Sequence, residues 1–124
     1  MRKVKPVNDT DQLVPSIVKG IQEKKGKDIV ILDLRKLQTR ATDVFIVCHA
    51  DSTTQVAAIY KSIEEEVHKF NNEWPWHTEG QQNSEWILLD YINVVVHVFL
   101  KDRREFYGIE DLWGDAQIER IENL

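Results

Sequence analysis

Cysteine is almost absent. A single one, Cys48, in 124 residues excludes an intrachain disulfide and the Cys-x-x-Cys pairs on which zinc knuckles and dithiol redox centres depend. Its place in the apolar run 44–48 predicts a buried thiol and argues against Cys–His catalysis, which needs an exposed thiolate. Glycine is scarce as well, at five residues. None belongs to a Walker phosphate loop, a dinucleotide fingerprint or a Gly-x-Ser-x-Gly elbow, so phosphoryl, hydride and acyl transfer lack their usual machinery. His77-Thr78-Glu79 matches the first half of a zinc-deaminase signature, but the second half needs a Pro-Cys-x-x-Cys that one cysteine cannot supply. The histidines at 49, 68, 77 and 97 show no i,i+4 ligand spacing. Apolar runs fall short of the roughly 20 residues of a bilayer-crossing helix, and no signal-peptide pattern opens the chain, so a cytoplasmic protein without membrane attachment is expected.

What is present describes one soluble domain. Hydrophobic residues at 42% and charged residues at 30% are ordinary for a globular chain, and a chain of this length buries roughly two thirds of its unfolded surface in one core. The net charge of −5 hides a split: residues 1–40 carry ten Lys/Arg against five Asp/Glu, and residues 41–124 carry six against sixteen. An acidic main body repels phosphate backbones and attracts basic proteins, which predicts little or no direct nucleic-acid binding.

Residues 1–10 lack periodicity and read as a flexible lead, residues 11–116 as the domain, and residues 117–124 as a loose C-terminal tail. A helix is expected over 11–25, with Leu13, Ile17, Val18 and Ile21 at helical spacing, Pro15 tolerable only in a first turn, and Gly26 as the stop. Residues 28–34 (DIVILDL) and 44–50 barely alternate, so both predict strands buried on two faces, with helices on both sides of a sheet. Ser52 and Gln55 form a capping-box pattern ahead of the longest helix, whose Val56, Ile59, Ile63, Val67 and Phe70 make one apolar stripe. Residues 76–80 read as a short edge segment. Asp102 and Glu105 read as an acidic N-cap pair for a last helix, broken at Gly108, whose Phe106, Tyr107, Leu112 and Trp113 would pack it onto the sheet.

The two runs 86–91 and 94–99 separate core from candidate binding face. A two-residue turn at Ile92-Asn93 pairs Tyr91 with Val94 and fixes the register. One face then holds Ile87, Leu89, Tyr91, Val94, Val96 and Val98, which is core. The other holds Trp86, Leu88, Asp90, Val95, His97 and Phe99, where two aromatics meet a His and an Asp. Such a mixture suits a partner-binding hot spot. It equally suits a helix-covered face with Asp90 and His97 paired beneath, and both readings stand. The turn is awkward, because a type I′ turn needs positive φ at both positions, which Asn93 tolerates and β-branched Ile92 resists.

From about residue 13 to residue 115 the chain resembles the ribosomal silencing factor family, RsfS, also described as Iojap-like. The stretches that carry the resemblance are 28–34, Thr42-Asp43-Val44-Phe45, the helix start Ser52 to Gln55, His77-Thr78-Glu79-Gly80, 86–99 and 104–115. The resemblance implies a single-domain α/β fold with a mixed sheet of about five strands flanked by helices, similar in topology to nucleotidyltransferases. It implies a translation repressor without catalysis or cofactor. Such a factor binds the large-subunit ribosomal protein L-fourteen, blocks subunit joining sterically, and in some members forms homodimers. It carries a docking role onto Trp86, Leu88, Asp90 and Tyr91, to which the pairing above adds His97 and Phe99. One departure is visible, Ile92-Asn93 where the family usually has Gly-Asp. Two alternatives remain. A nucleotidyltransferase-like enzyme would need Gly-Ser followed by paired acids where this chain has Asp51-Ser52-Thr53-Thr54. A generic protein-binding adaptor would need neither a metal nor the ribosome.

Overall fold

Asp9 opens the first helix. In the computed structural model, which describes residues 8–37 and 42–123, the Asp9 carboxylate accepts from the Gln12 backbone N–H at 2.9 Å. Gln12 Oε1 accepts from the Asp9 backbone N–H at 2.8 Å in return. This reciprocal box sets the start of α1 (Thr10–Glu23). Most of the expected flexible lead, residues 1–7, lies outside the described residues. Pro15 falls in the second turn of α1 rather than the first, on its exposed side, and so removes the N–H that would meet the Asp11 carbonyl.

The chain then forms β1 (Lys27–Asp33), β2 (Val44–Ala50), α2 (Thr53–Asn71), β3 (His77–Glu79), β4 (Trp86–Asp90), β5 (Val94–Leu100), α3 (Lys101–Tyr107), α4 (Ile109–Leu112) and β6 (Gln117–Ile121). The Ser52 hydroxyl caps α2 by accepting from the Gln55 N–H at 3.1 Å. The other half of the expected box, the Gln55 oxygen accepting from the Ser52 N–H, does not form among the described residues; the Gln55 side chain is turned to the end of α1, where its Nε2–H donates to the Lys24 and Lys25 carbonyls. The helices cross closely at Gly20, where an added Cβ would sit 2.7 Å from the Ile63 Cα. At the same crossing the Ser62 hydroxyl donates to the Gly20 carbonyl at 2.8 Å.

One six-stranded mixed sheet runs in the order β3-β4-β5-β2-β1-β6, with β2 and β5 parallel and the other neighbours antiparallel. The sixth strand corrects the reading of a loose tail over 117–124 for residues 117–121, and residue 124 lies outside the described residues. Residues 117–121 pair with β1 from Ile29↔Ile121 to Asp33↔Gln117. Their side chains are mostly exposed, so backbone pairing holds this edge strand and no apolar alternation marks it in the sequence. Four buried residues in a row, Ile29 to Leu32, confirm the two-sided burial expected of β1. α1 and α2 cover one face through Leu13, Ile17, Ile59 and Ile63 against Ile46, Cys48, Leu89, Val96 and Val98. α3 and α4 cover part of the other, where Val30, Leu32, Val47, Phe99 and Ile109 cluster. At the β3–β4 end of that second face, Leu88 and Asp90 are half-buried and His77 and Glu79 exposed. Among the described residues, no helix is long and apolar enough to cross a membrane.

α3 follows β5 without a break. Leu100 takes the N-cap position with no side-chain bond, and Asp102 lies inside the first turn, so the expected Asp102/Glu105 cap pair does not form. Gly108 at φ 55 ends α3 and starts α4, the break its position predicted.

Candidate functional site

The paired strands β4 and β5 have the register the sequence dictated: Trp86↔Phe99, Leu88↔His97 and Asp90↔Val95, with the Tyr91 N–H donating to the Val94 carbonyl at 2.9 Å. Strand alternation therefore lines up Trp86, Leu88, Asp90, Val95, His97 and Phe99 on the face opposite α1 and α2. The parallel pairing Phe45↔Val95 brings Phe45 from β2 onto the same face.

These rings touch in an unbroken chain. Phe106 meets Tyr107 edge-on at 5.2 Å, and Tyr107 lies 4.6 Å from Trp86 between ring centroids. Trp86 stacks on Phe99 at 4.9 Å, His97 meets Phe45 edge-on at 4.9 Å, and Phe45 meets Trp113 at 5.8 Å. The Trp86 indole Nε1–H donates to His97 Nδ1 at 3.1 Å. His97 must accept at Nδ1, so its proton resides on Nε2, which is buried and has no partner among the described residues. Burial pushes the His97 pKa down to about 4, so the ring is neutral at physiological pH.

The six residues singled out from the sequence thus take three positions. Trp86, Leu88 and Asp90 are half-buried and reach solvent. His97 and Phe99 are buried beneath them, supporting the surface rather than forming it. Tyr91 lies on the opposite face, fully buried in the core under α2, and its assignment to a contact patch is corrected. Among the described residues its hydroxyl has no hydrogen-bond partner, and burial, with Glu64 and Glu73 nearby, drives its pKa far above the ordinary value. Asp90 does not pair with His97 either: its Oδ1 accepts from the Ile92 N–H at 2.7 Å and stabilises the hairpin tip. There Ile92, and not Asn93, carries the positive φ, at 80, while the Asn93 N–H donates back to the Tyr91 carbonyl at 3.1 Å, a three-residue γ-turn.

Two residues expected to pack α3 and α4 do not. Phe106 is 74% exposed and Leu112 75% exposed, while Trp113 and Ile109 make the contact with the sheet. Periodicity could not separate them, because a break at Gly108 resets the helical phase between the two short helices.

Arg104, missed in the sequence, locks this unit in place. Its Nε and Nη2 donate to the two Glu110 oxygens at 2.8 and 3.1 Å, and its Nη1 donates to the Asp28 carbonyl at 2.7 Å and to His49 Nδ1 at 2.9 Å. Burial, and then the neighbouring guanidinium, lower the His49 pKa. A cleft of about 420 Å³ beside Arg104 carries charges of both signs, including Asp28, Lys101, Glu105 and Arg120, and so favours no single ion. Among the described residues, no group of three His, Cys, Asp or Glu could hold a metal. Cys48 is buried and its thiol is pushed up to about 12, an inert core residue.

Comparison with known proteins adds identity to this geometry. The family described as "Ribosomal silencing factor during starvation" matches residues 7–124. The chain is 34% identical to ribosomal silencing factor RsfS of Halalkalibacterium halodurans over 113 residues, 91% of this chain and 95% of that protein. It is 38% identical to RsfS of Bacillus subtilis over 100 residues, 81% of this chain and 83% of that protein. A crystal structure from Chromobacterium violaceum superposes with a TM-score of 0.80 at 34% identity, covering 86% of this chain and 88% of that one.

Proposed function

The chain belongs to the ribosomal silencing factor family, and on that premise we propose that it represses translation by binding the large ribosomal subunit and sterically preventing the small subunit from joining. The docking partner in this reading is the basic large-subunit protein L-fourteen. The surface is the open part of the β4–β5 face, with Trp86, Leu88 and Asp90 at its centre and His97 and Phe99 holding Trp86 in place.

The observation that supports it is the Trp86 environment. A large indole, stacked from below on Phe99 and fixed in orientation by His97, is presented at the rim of a half-covered sheet face. Rigid aromatic anchors of this kind are where binding energy concentrates. The acidic main body gives such an anchor electrostatic steering toward a basic target. Blocking needs affinity and bulk only, so this mechanism uses no reaction and no cofactor.

Co-sedimentation with purified large subunits, followed by cross-linking and identification of the cross-linked protein, tests the reading. Recovery of L-fourteen cross-linked to the β4–β5 face supports it. Cross-links confined to other ribosomal components contradict the choice of partner.

A further inference from the structure

We propose that Phe106 and Leu112 form a second contact area continuous with the Trp86 surface, and that its occupant is a basic protein segment that seats an apolar side chain between lysines or arginines. The inference rests on the ribosome-binding reading and extends it to residues that reading did not contain.

Phe106 and Leu112 sit on the two short helices either side of Gly108, each about three-quarters exposed. Single exposed leucines are common, but Phe106 and Leu112 lie on the two short helices that, with the cap at Trp113, also supply Tyr107 and Trp113 to the ring contacts around Trp86 and Phe45. Phe106 is joined to Trp86 through Tyr107, and Leu112 immediately precedes Trp113, which touches Phe45. The helices that present them are held by the Arg104–Glu110 pair, so the patch is offered on a fixed support.

Charge selects the occupant. Residues 101–115 carry five acids and three bases. Two of those bases are already engaged, Arg103 with Glu85 at 3.3 Å and Arg104 with Glu110 at 2.8 Å. Asp102, Glu105, Asp111 and Asp115 are exposed around the apolar residues. An acidic rim repels nucleic-acid phosphate and anionic lipid. A second copy meeting this patch through a two-fold axis would set the same acids against one another. A basic segment meets both the apolar centre and the rim.

The test is a titration of fluorescently labelled full-length protein with purified bacterial large ribosomal subunits at low and high salt, on wild type, Phe106→Ser, Leu112→Ser and the double reversal Glu105→Lys/Asp111→Lys. Thermal melts confirm that each variant is folded, as their exposure predicts. We expect each serine variant to weaken binding about tenfold, the factor of one interface contact. The double reversal should weaken binding more at low salt than at high salt. Wild-type binding with both serine variants unchanged overturns this inference alone. Absence of wild-type binding overturns it together with the function reading. Loss of self-association in the serine variants, with subunit binding intact, assigns the patch to a second copy and overturns it as well.

Discussion

Trp86 and His97 are joined by one hydrogen bond, indole Nε1–H to imidazole Nδ1 at 3.1 Å, and that bond couples a half-buried aromatic to a buried titratable ring.

The first prediction follows from His97. Its folded pKa is depressed from 6.5 to about 4, so between those values the unfolded chain binds the extra proton. Stability from this group is therefore complete above about pH 6.5 and is lost as pH falls toward 4, by about 3 kcal/mol at most. Melting temperatures of wild type and His97→Gln between pH 7.5 and 4.5 check it. The wild type should lose more than the variant, and parallel pH profiles would contradict the assignment.

Trp86→Ala should act on folding and on binding together. Half-buried against Phe99 and Tyr107, the indole contributes packing whose loss costs about 2 kcal/mol. Truncating a hot-spot anchor should also weaken docking to the large subunit by about 2–4 kcal/mol. Denaturant unfolding and subunit titration well below the melting temperature separate the two. A folded variant with wild-type affinity would remove Trp86 from the interface.

Arg104 carries the attachment of α3 and α4. Arg104→Ala leaves the half-buried Glu110 carboxylate without its cation and should destabilise the chain by about 3 kcal/mol. Arg104→Lys should recover little, because a single ammonium cannot reproduce the paired donors to Glu110. Hydrogen exchange over residues 101–112 should accelerate in both variants, and unchanged protection there would show that the apolar contacts suffice.

How much of this was legible in the sequence depends on which force decided each position. The β4–β5 register and the core face of Ile87, Leu89, Val96 and Val98 followed from period-two alternation, since one buried face permits one register. Tyr91 falls on that same core face, so alternation excluded it from the docking patch to which resemblance alone had carried it. β6 was invisible because its side chains remain in water and its pairing is a property of backbone groups. Arg104 and Phe45 were missed for a different reason. Their roles come from neighbours distant in sequence, Asp28 and His49 for the one and the parallel partner β5 for the other, which no local pattern encodes.

Ile92 offers a test of stored strain. A β-branched residue at φ 80 is held there by the Asp90 carboxylate and by the Thr42 hydroxyl, which donates to its carbonyl at 2.8 Å. Such a conformation costs roughly 1–3 kcal/mol, more than glycine's added chain entropy. Ile92→Gly should therefore raise stability by about 1 kcal/mol in equilibrium urea unfolding. A loss would show that the half-buried side chain contributes more than its backbone strain removes.

The central claim is steric blocking, and light scattering of subunit joining against increasing protein tests it most directly. The account predicts inhibition that saturates near one copy per large subunit, weakens in parallel with binding for Trp86→Ala, and spares particles already joined. Inhibition at far lower ratios that persists after the protein is removed, or full joining at saturating protein, would contradict it.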